Sequence, residues 1–171
     1  MRRLGLLIPG LLALALAGAA GAQAVYSPPE GDFSVAFGQT PHVVSKPANR
    51  SKDIAVRRYV DQGPGRALVV SIEDFPDGDL PAAADGGVYD RMLRSYADDH
   101  DGQLVATKPA RLSGRPCLEG EVVEHGAETT DIIRILMIDD RIYQLIYAMP
   151  EGADPQGADA TFFNSFRILK P

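Results

Sequence analysis

The stretch DIIRILMIDDRIYQLIYAM, residues 131–149, decides the fold. Asp139 and Asp140 divide it into two runs that are apolar at most positions, so neither run has a clearly polar face. A strand of this kind belongs in the middle of a sheet whose two faces are both covered. The stretch therefore predicts a central antiparallel hairpin with packed layers on both sides.

The hairpin is the second half of a predicted meander of four strands, residues 103–112, 116–125, 128–138 and 141–149. The turns between these runs are short, which makes consecutive strands antiparallel neighbours. Two-residue turns would place Glu119 opposite Arg134 on the next strand, and Tyr143 opposite Leu136. A cross-strand salt bridge is the structural interpretation of the first pair.

The N-terminal half predicts strands at 33–37, 53–60 and 66–75, a hairpin loop at 61–65 and a long loop at 76–87. Val88, Met92 and Tyr96 recur at i, i+4 and i+8, as in an amphipathic helix, which we expect over 88–101 with Gly102 as its C-cap. The fold class is therefore α+β, with an antiparallel sheet of about six to seven strands flanked by helices.

A second helix is predicted near the C-terminus. Asp154 is its expected N-cap and Pro155 its first residue. It carries three phenylalanines that a water-exposed helix would not tolerate together, namely Phe162, Phe163 and Phe166. We expect this helix to dock on the sheet and to complete a single domain over 25–171.

Three segments carry a resemblance to a known family: YSPPEGDFSVAF (26–37), LSGRPCLEGEVV (112–123) and FFNSFRIL (162–169). In these segments, and in the order of its elements, the chain resembles the PsbP-like family of exported bacterial proteins. The resemblance implies an α/β/α sandwich. The family is best known for an accessory subunit of photosystem II and a Ran-binding relative. The group has no common catalytic residue, so the resemblance implies none here.

Residues 1–24 have the pattern of a secretory signal peptide. Arg2 and Arg3 precede a long Leu/Ala run that ends in Ala22-Gln23-Ala24, which offers small residues at −3 and −1 to a signal peptidase. We expect cleavage after Ala24 and a periplasmic or secreted protein. Cys117 is the single cysteine, so it has no intramolecular disulfide partner and is expected to pack as a small hydrophobe.

The charge balance excludes several classes of partner. The chain has 17 Lys and Arg against 23 Asp and Glu, a net charge of −6, which disfavours nucleic acid and anionic membranes. Arg57 and Arg58 are interpreted as part of a solvated strand edge. No P-loop, Rossmann or G-x-S-x-G pattern is present, and the histidines lack zinc spacing, so we expect no cofactor, no metal and no catalytic residue. Weak calcium binding stays open at Glu73, Asp74, Asp77 and Asp79.

The predicted register gives the sheet two unlike faces. The face expected to form the main core carries Leu118, Val122, Ile133, Ile135, Met137, Ile142 and Ile146. The other face mixes aromatic and charged side chains, namely Glu119, Glu121, Arg134, Tyr143 and Tyr147. The helix over 88–101 would either seal this second face or leave it partly open.

Aromatic rings with a few polar groups are typical of binding sites. The mixed face is therefore the predicted ligand or partner face of a non-enzymatic accessory or binding module, whose partner is a protein or a small molecule. The alternative is a hydrolase in which Glu119 and Glu121 act as acid and base. A closed pocket with separated pKa values would favour the hydrolase, and salt-bridged carboxylates would favour the binding module.

The leader makes the first prediction. Mass spectrometry of the exported protein should show a mature N-terminus at Val25, because Ala22-Gln23-Ala24 is the best small-x-small site in the leader. A mature form that retains residues 1–24 would contradict the cleavage site.

Overall fold

The computed structural model describes residues 24–46, 54–76 and 87–170. The predicted leader up to residue 23 and most of the predicted loop over 76–87 lie outside these ranges. In chain order the elements are β1 (Ala24–Tyr26), β2 (Phe33–Phe37), β3 (His42–Lys46), β4 (Ala55–Gly63), β5 (Arg66–Asp74), α1 (Gly87–Asp99), β6 (Gly102–Leu112), β7 (Arg115–Glu124), β8 (Thr129–Ile138), β9 (Arg141–Pro150), α2 (Ala158–Ser165) and β10 (Arg167–Ile168).

The strands form two sheets in the described part of the chain. The large sheet has seven antiparallel strands in the order β3-β4-β5-β9-β8-β7-β6, and the small one has the order β1-β2-β10. The predicted central hairpin, β8 and β9, lies inside the large sheet. Pairing of β5 with β9 joins the N-terminal strands to the meander, which confirms an α+β fold with an antiparallel sheet.

The predicted register is confirmed. Glu119 pairs with Arg134 across β7 and β8, and Leu136 pairs with Tyr143 across β8 and β9. The turn between β7 and β8 is longer than predicted, since it spans residues 125–128. The two extra residues lie one on each side of the predicted pair, so the register is unchanged.

The larger core lies on the face that carries Tyr143, Leu145 and Tyr147. The small sheet and α2 cover this face with aromatic side chains, namely Phe33, Phe37, Phe162, Phe163 and Phe166. The expectation that the opposite face forms the main core was therefore wrong. The central strands β8 and β9 are apolar on both faces, and the three phenylalanines near the C-terminus determine which face receives the bulkier cover.

Helix α1 covers part of the opposite face and not the tyrosine face. It packs mainly against β6 and β7, where Val88, Leu93 and Ala97 are buried in a second, smaller core. Leu93 lies directly over Gly120 of β7, and a Cβ at that glycine would come within 2.7 Å of a Leu93 methyl group. Gly120 therefore lets the helix approach the sheet closely.

Two predicted helix boundaries need correction. Helix α2 begins at Ala158 after Gly157, and Asp154 instead accepts a hydrogen bond from the Gln156 amide, 2.9 Å away, in a turn that precedes the helix. After α1 the left-handed residue is Asp101, with φ of 51°. Gly102 already belongs to β6, where a Cβ would come within 2.9 Å of the Val123 carbonyl oxygen.

Three strands escaped the sequence analysis. β1 and β10 have three and two residues, too few to show a period. β3 carries Val43 and Val44, which are adjacent and both exposed at the edge of the sheet, so apolar and polar residues do not alternate along it. These strands form because their backbones pair with longer neighbours.

A network of ion pairs ties the small sheet to the large one. Arg57 lies 2.9 Å from Asp32, before β2, and 3.1 Å from Asp74 of β5. Arg141 of β9 also contacts Asp74 and lies 3.7 Å from Asp32. The interpretation of Arg57 as part of a solvated edge was therefore wrong, since β3 covers that edge and the Arg57 side chain is only 18% exposed. No helix of the described residues is long and apolar enough to cross a membrane.

Phe166 tests the cover of the larger core. Its ring is fully buried, 5.6 Å from Phe33 of the small sheet and 5.8 Å from Tyr143 of the large one. Phe166→Ala should lower the free energy of unfolding by about 3–5 kcal/mol, measured by urea denaturation. Leu169→Ala is the control, because Leu169 is 53% exposed. An unchanged midpoint for Phe166→Ala would contradict the two-sided sandwich.

Candidate functional site

The salt bridge predicted for Glu119 is present and is stronger than expected. Arg134 donates from Nε to one oxygen of the carboxylate at 2.7 Å, and Lys108 of β6 lies 2.7 Å from the other oxygen. The Arg134 guanidinium also lies over the ring of Phe163, 4.4 Å from its centroid. Burial opposes ionisation of Glu119, but the hydrogen bonds from Lys108 and Arg134 outweigh it and lower the pKa of the carboxyl.

This arrangement does not favour the hydrolase alternative. A general acid needs a raised pKa, whereas the pKa of Glu119 is lowered. Glu121 is exposed on β7, whereas Glu119 is buried. Glu119 is therefore part of a structural ion pair, and Glu121 is its solvated neighbour.

The predicted partner face is closed over most of its area. Tyr143 and Tyr147 are buried in the larger core together with the rings of α2. Of the five predicted residues of this face, Glu121 is the exposed one. A binding role for this face remains a prediction, and a partner would reach Glu121 and the edges of Arg134 without displacing α2.

Cys117 has the environment of a structural residue. It is buried in the larger core, and burial raises the pKa of its thiol to about 11. A thiol with a raised pKa is a poor nucleophile, because the thiolate is the reactive form.

A cleft opens on the opposite face, between α1 and the strands that α1 does not cover. Its volume is about 560 Å³, within the range of small-molecule sites. Apolar side chains of the sheet and the helix form most of its wall, among them Val69, Met92, Met137, Ile142 and Ile146. The cleft exists because α1 packs on the β6 and β7 half of the sheet, while β4, β5 and β9 continue beyond it.

A band of polar side chains crosses the floor of the cleft. Arg58 of β4 pairs in register with Ser71 of β5, and Ser71 pairs with Gln144 of β9. Ser71 is 1% exposed, and among the residues that the structure describes its hydroxyl has no hydrogen-bond partner. Within the described residues, the side chains of Arg58 and Gln144 also make no hydrogen bond or ion pair. Buried polar groups are normally satisfied. Ser71 is the buried member of the band, whereas Gln144 is half-buried and Arg58 is exposed, so the Ser71 hydroxyl is the group that a further partner would satisfy.

Glu73 adds a carboxylate to the same floor, two residues after Ser71 on β5. Burial raises its pKa, and the nearby Arg58 opposes that shift. Asp74 points to the other face of the strand, where it pairs with Arg57 and Arg141. Of the four acidic residues left open as a calcium site, Glu73 and Asp74 therefore lie on opposite faces of the sheet. Asp77 and Asp79 lie outside the described residues.

Two tyrosines attach α1 to the sheet at the cleft. The Tyr96 hydroxyl donates to Asp131 of β8 at 2.6 Å, and the Tyr89 hydroxyl accepts from the Met137 amide at 3.2 Å. The second oxygen of Asp131 is buried and has no hydrogen-bond partner in the described part of the chain. Burial raises the pKa of Asp131 to about 6, and Glu124 adds to the shift while the Tyr96 hydrogen bond opposes it. His100 stacks on the Tyr96 ring at 4.0 Å.

Metal binding finds no support among the described residues, where no group of three or more His, Cys, Asp or Glu side chains is placed to hold an ion.

Comparison with solved structures identifies the fold. The chain is similar to the solution structure of cyanobacterial PsbP (CyanoP) from Synechocystis sp. PCC 6803, with a TM-score of 0.59 and 16% sequence identity over 88% of this chain and 96% of that one. The chain has a PsbP-like fold. No family model matches the sequence, and no curated protein matches it either. At this identity the likeness establishes the fold alone.

The sequence analysis missed the cleft, although part of its signal was present. Val69, Ser71 and Glu73 alternate along β5 on one face, and the polar members of that face are the cleft floor. The cleft forms only because β5 pairs with β9, and this pairing joins residues about 75 positions apart. A pairing over that distance leaves no local pattern in the sequence.

Asp131 makes the pH dependence of stability testable. Its folded pKa of about 6 lies above the unfolded value of about 3.9, so its contribution favours the folded state more as pH falls from 7 through 6 towards 4. The gain should be about 2 kcal/mol. Asp131→Asn should remove this gain from urea denaturation curves measured between pH 7 and pH 4.5.

The exposed helix residue Asp98 supplies the control, since Asp98→Asn should keep the wild-type pH dependence. An NMR titration in which the Asp131 carboxyl carbon shows an ordinary pKa near 4 would contradict the buried arrangement.

Proposed function

We propose that this protein is a non-enzymatic, exported binding module that holds a small amphipathic molecule in the cleft beneath α1. The periplasmic or secreted location rests on the leader sequence. The observation that carries the binding proposal is the unpartnered hydroxyl of Ser71, buried in the floor of a cleft of about 560 Å³.

The shape and lining of the cleft support a small ligand. Its wall is largely apolar and its polar groups are few and adjacent, which is the composition of small-molecule sites. A bound molecule that accepts a hydrogen bond from Ser71 would remove the cost of an unsatisfied buried hydroxyl, about 1–3 kcal/mol. The apolar wall would gain further from the burial of hydrocarbon surface.

Two methionines suit the cleft to ligands of different shape. Met92 of α1 and Met137 of β8 both line it. Methionine has a flexible, polarisable side chain that adapts to irregular surfaces. The third methionine after the leader, Met149, is buried in the larger core on the other side of the sheet.

These methionines provide the readout for a binding test. In protein labelled with ¹³C at the methionine methyl groups, 1-anilinonaphthalene-8-sulfonate should shift the Met92 and Met137 signals and leave Met149 unchanged. Val69→Phe places an aromatic ring on the cleft wall and should lower the apparent affinity for the probe, obtained from these shifts, at least tenfold. Val105→Phe, on the exposed edge strand β6, should bind the probe as the wild type does.

The outcome that overturns the proposal is a probe that shifts none of the cleft methionines at millimolar concentration. Binding that survives Val69→Phe but is lost when Glu121 is replaced would instead favour the tyrosine face, and a partner at its edge.

A further inference from the structure

The floor of the cleft carries two opposite charges that do not pair with each other. Arg58 and Glu73 occupy diagonal positions on the adjacent strands β4 and β5, because Arg58 pairs in register with Ser71, two residues before Glu73. Diagonal Cβ atoms lie roughly 7–8 Å apart. The two groups influence each other electrostatically, yet in the described part of the chain no ion pair within 4.0 Å joins them.

Hydrogen-bond donors are concentrated on the Arg58 side. The guanidinium, the Ser71 hydroxyl and the Gln144 amide lie in one row across three strands, and each can donate. A carboxylate accepts several such bonds, and a guanidinium binds it with two parallel ones. The row is therefore a carboxylate site.

The Glu73 side has the opposite character. Its carboxylate accepts hydrogen bonds and lies in the same floor, next to the donor row. Asp99, at the C-terminal end of α1, adds a second negative charge to the cleft wall. An ammonium group next to Glu73 would find an acceptor and a favourable field.

We propose that the ligand is an α-amino acid with an apolar side chain, whose carboxylate binds Arg58, Ser71 and Gln144, and whose ammonium binds Glu73. This inference rests on the proposed function of the cleft and specifies its ligand. Only one carbon separates the two charges of an α-amino acid, so both reach neighbouring groups of the floor at once. The apolar side chain then extends between Met92 and Met137 towards Ile142.

A matched set of three compounds tests the assignment. L-Phenylalanine carries both charges, 3-phenylpropionate lacks the ammonium, and 2-phenylethylamine lacks the carboxylate, while all three present the same phenyl group. Titrations followed by the Met92 and Met137 methyl signals should rank phenylalanine at least tenfold tighter than each of the others. Met149 is the internal reference for nonspecific effects.

Two variants separate the contributions of the charges. Arg58→Gln should weaken phenylalanine about tenfold and leave phenylethylamine unchanged, because only the carboxylate loses its partner. Glu73→Gln should weaken phenylalanine and phenylethylamine and leave phenylpropionate unchanged or tighter. The exposed residues Arg115 and Glu151 offer the controls Arg115→Gln and Glu151→Gln, which should bind all three compounds as the wild type does.

The results distinguish this inference from the function on which it rests. If anilinonaphthalenesulfonate binds the cleft but phenylalanine binds no tighter than phenylpropionate and phenylethylamine, the amino-acid assignment is wrong and the binding module stands. If neither the probe nor the three compounds shift Met92 and Met137, both are wrong. Equal loss of all ligands in Arg58→Gln, with an unchanged melting temperature, would also refute recognition of the separate charges.

Discussion

The double apolar character of β8 and β9 is the constraint on which the architecture depends. Ile142 and Ile146 point to one side of β9 while Tyr143, Leu145 and Tyr147 point to the other, and all of them are buried. A sheet with such strands at its centre exposes apolar surface unless both faces are covered. The chain covers one face with α2 and the small sheet and the other with α1, which produces three layers.

The two covers are unequal, and the inequality produces the cleft. Aromatic rings from β2 and α2 close the tyrosine face, with Phe166 packed between Phe33 and Tyr143. One helix of 13 residues covers the other face, and at about 1.5 Å per residue it spans about 20 Å. Seven strands spaced about 4.8 Å apart are wider than such a helix can cover alone. Because Gly120 admits Leu93 over β7, the helix sits towards one edge, and it does not extend over β4, β5 and β9.

How much of this the sequence could predict follows from the range of the interactions involved. The meander, its register and the Glu119–Arg134 pair depend on short turns, so local patterns are sufficient to predict them. The position of α2 and the short strands β1 and β10 depend on partners far along the chain, and two or three residues carry no period. Which face holds the larger core depends on where Phe162, Phe163 and Phe166 dock. The apolar patterns of the two faces alone would permit docking on either one. For the same reason the cleft was missed, since Arg58, Ser71 and Gln144 become neighbours only through the pairing of β5 with β9.

The sheet thus carries two polar clusters on its two faces, and they differ in how far the described residues satisfy them. Glu119 is held by Arg134 and Lys108, so its charge is compensated within the chain. On the other face the Ser71 hydroxyl is buried without a partner among the described residues, beside the half-buried Gln144 and the exposed Arg58. A polar cluster that served only the fold would be stabilised by partners of the first kind, because an unsatisfied buried group opposes folding. The buried Ser71 hydroxyl is therefore the observation on which the proposed binding role of the cleft depends.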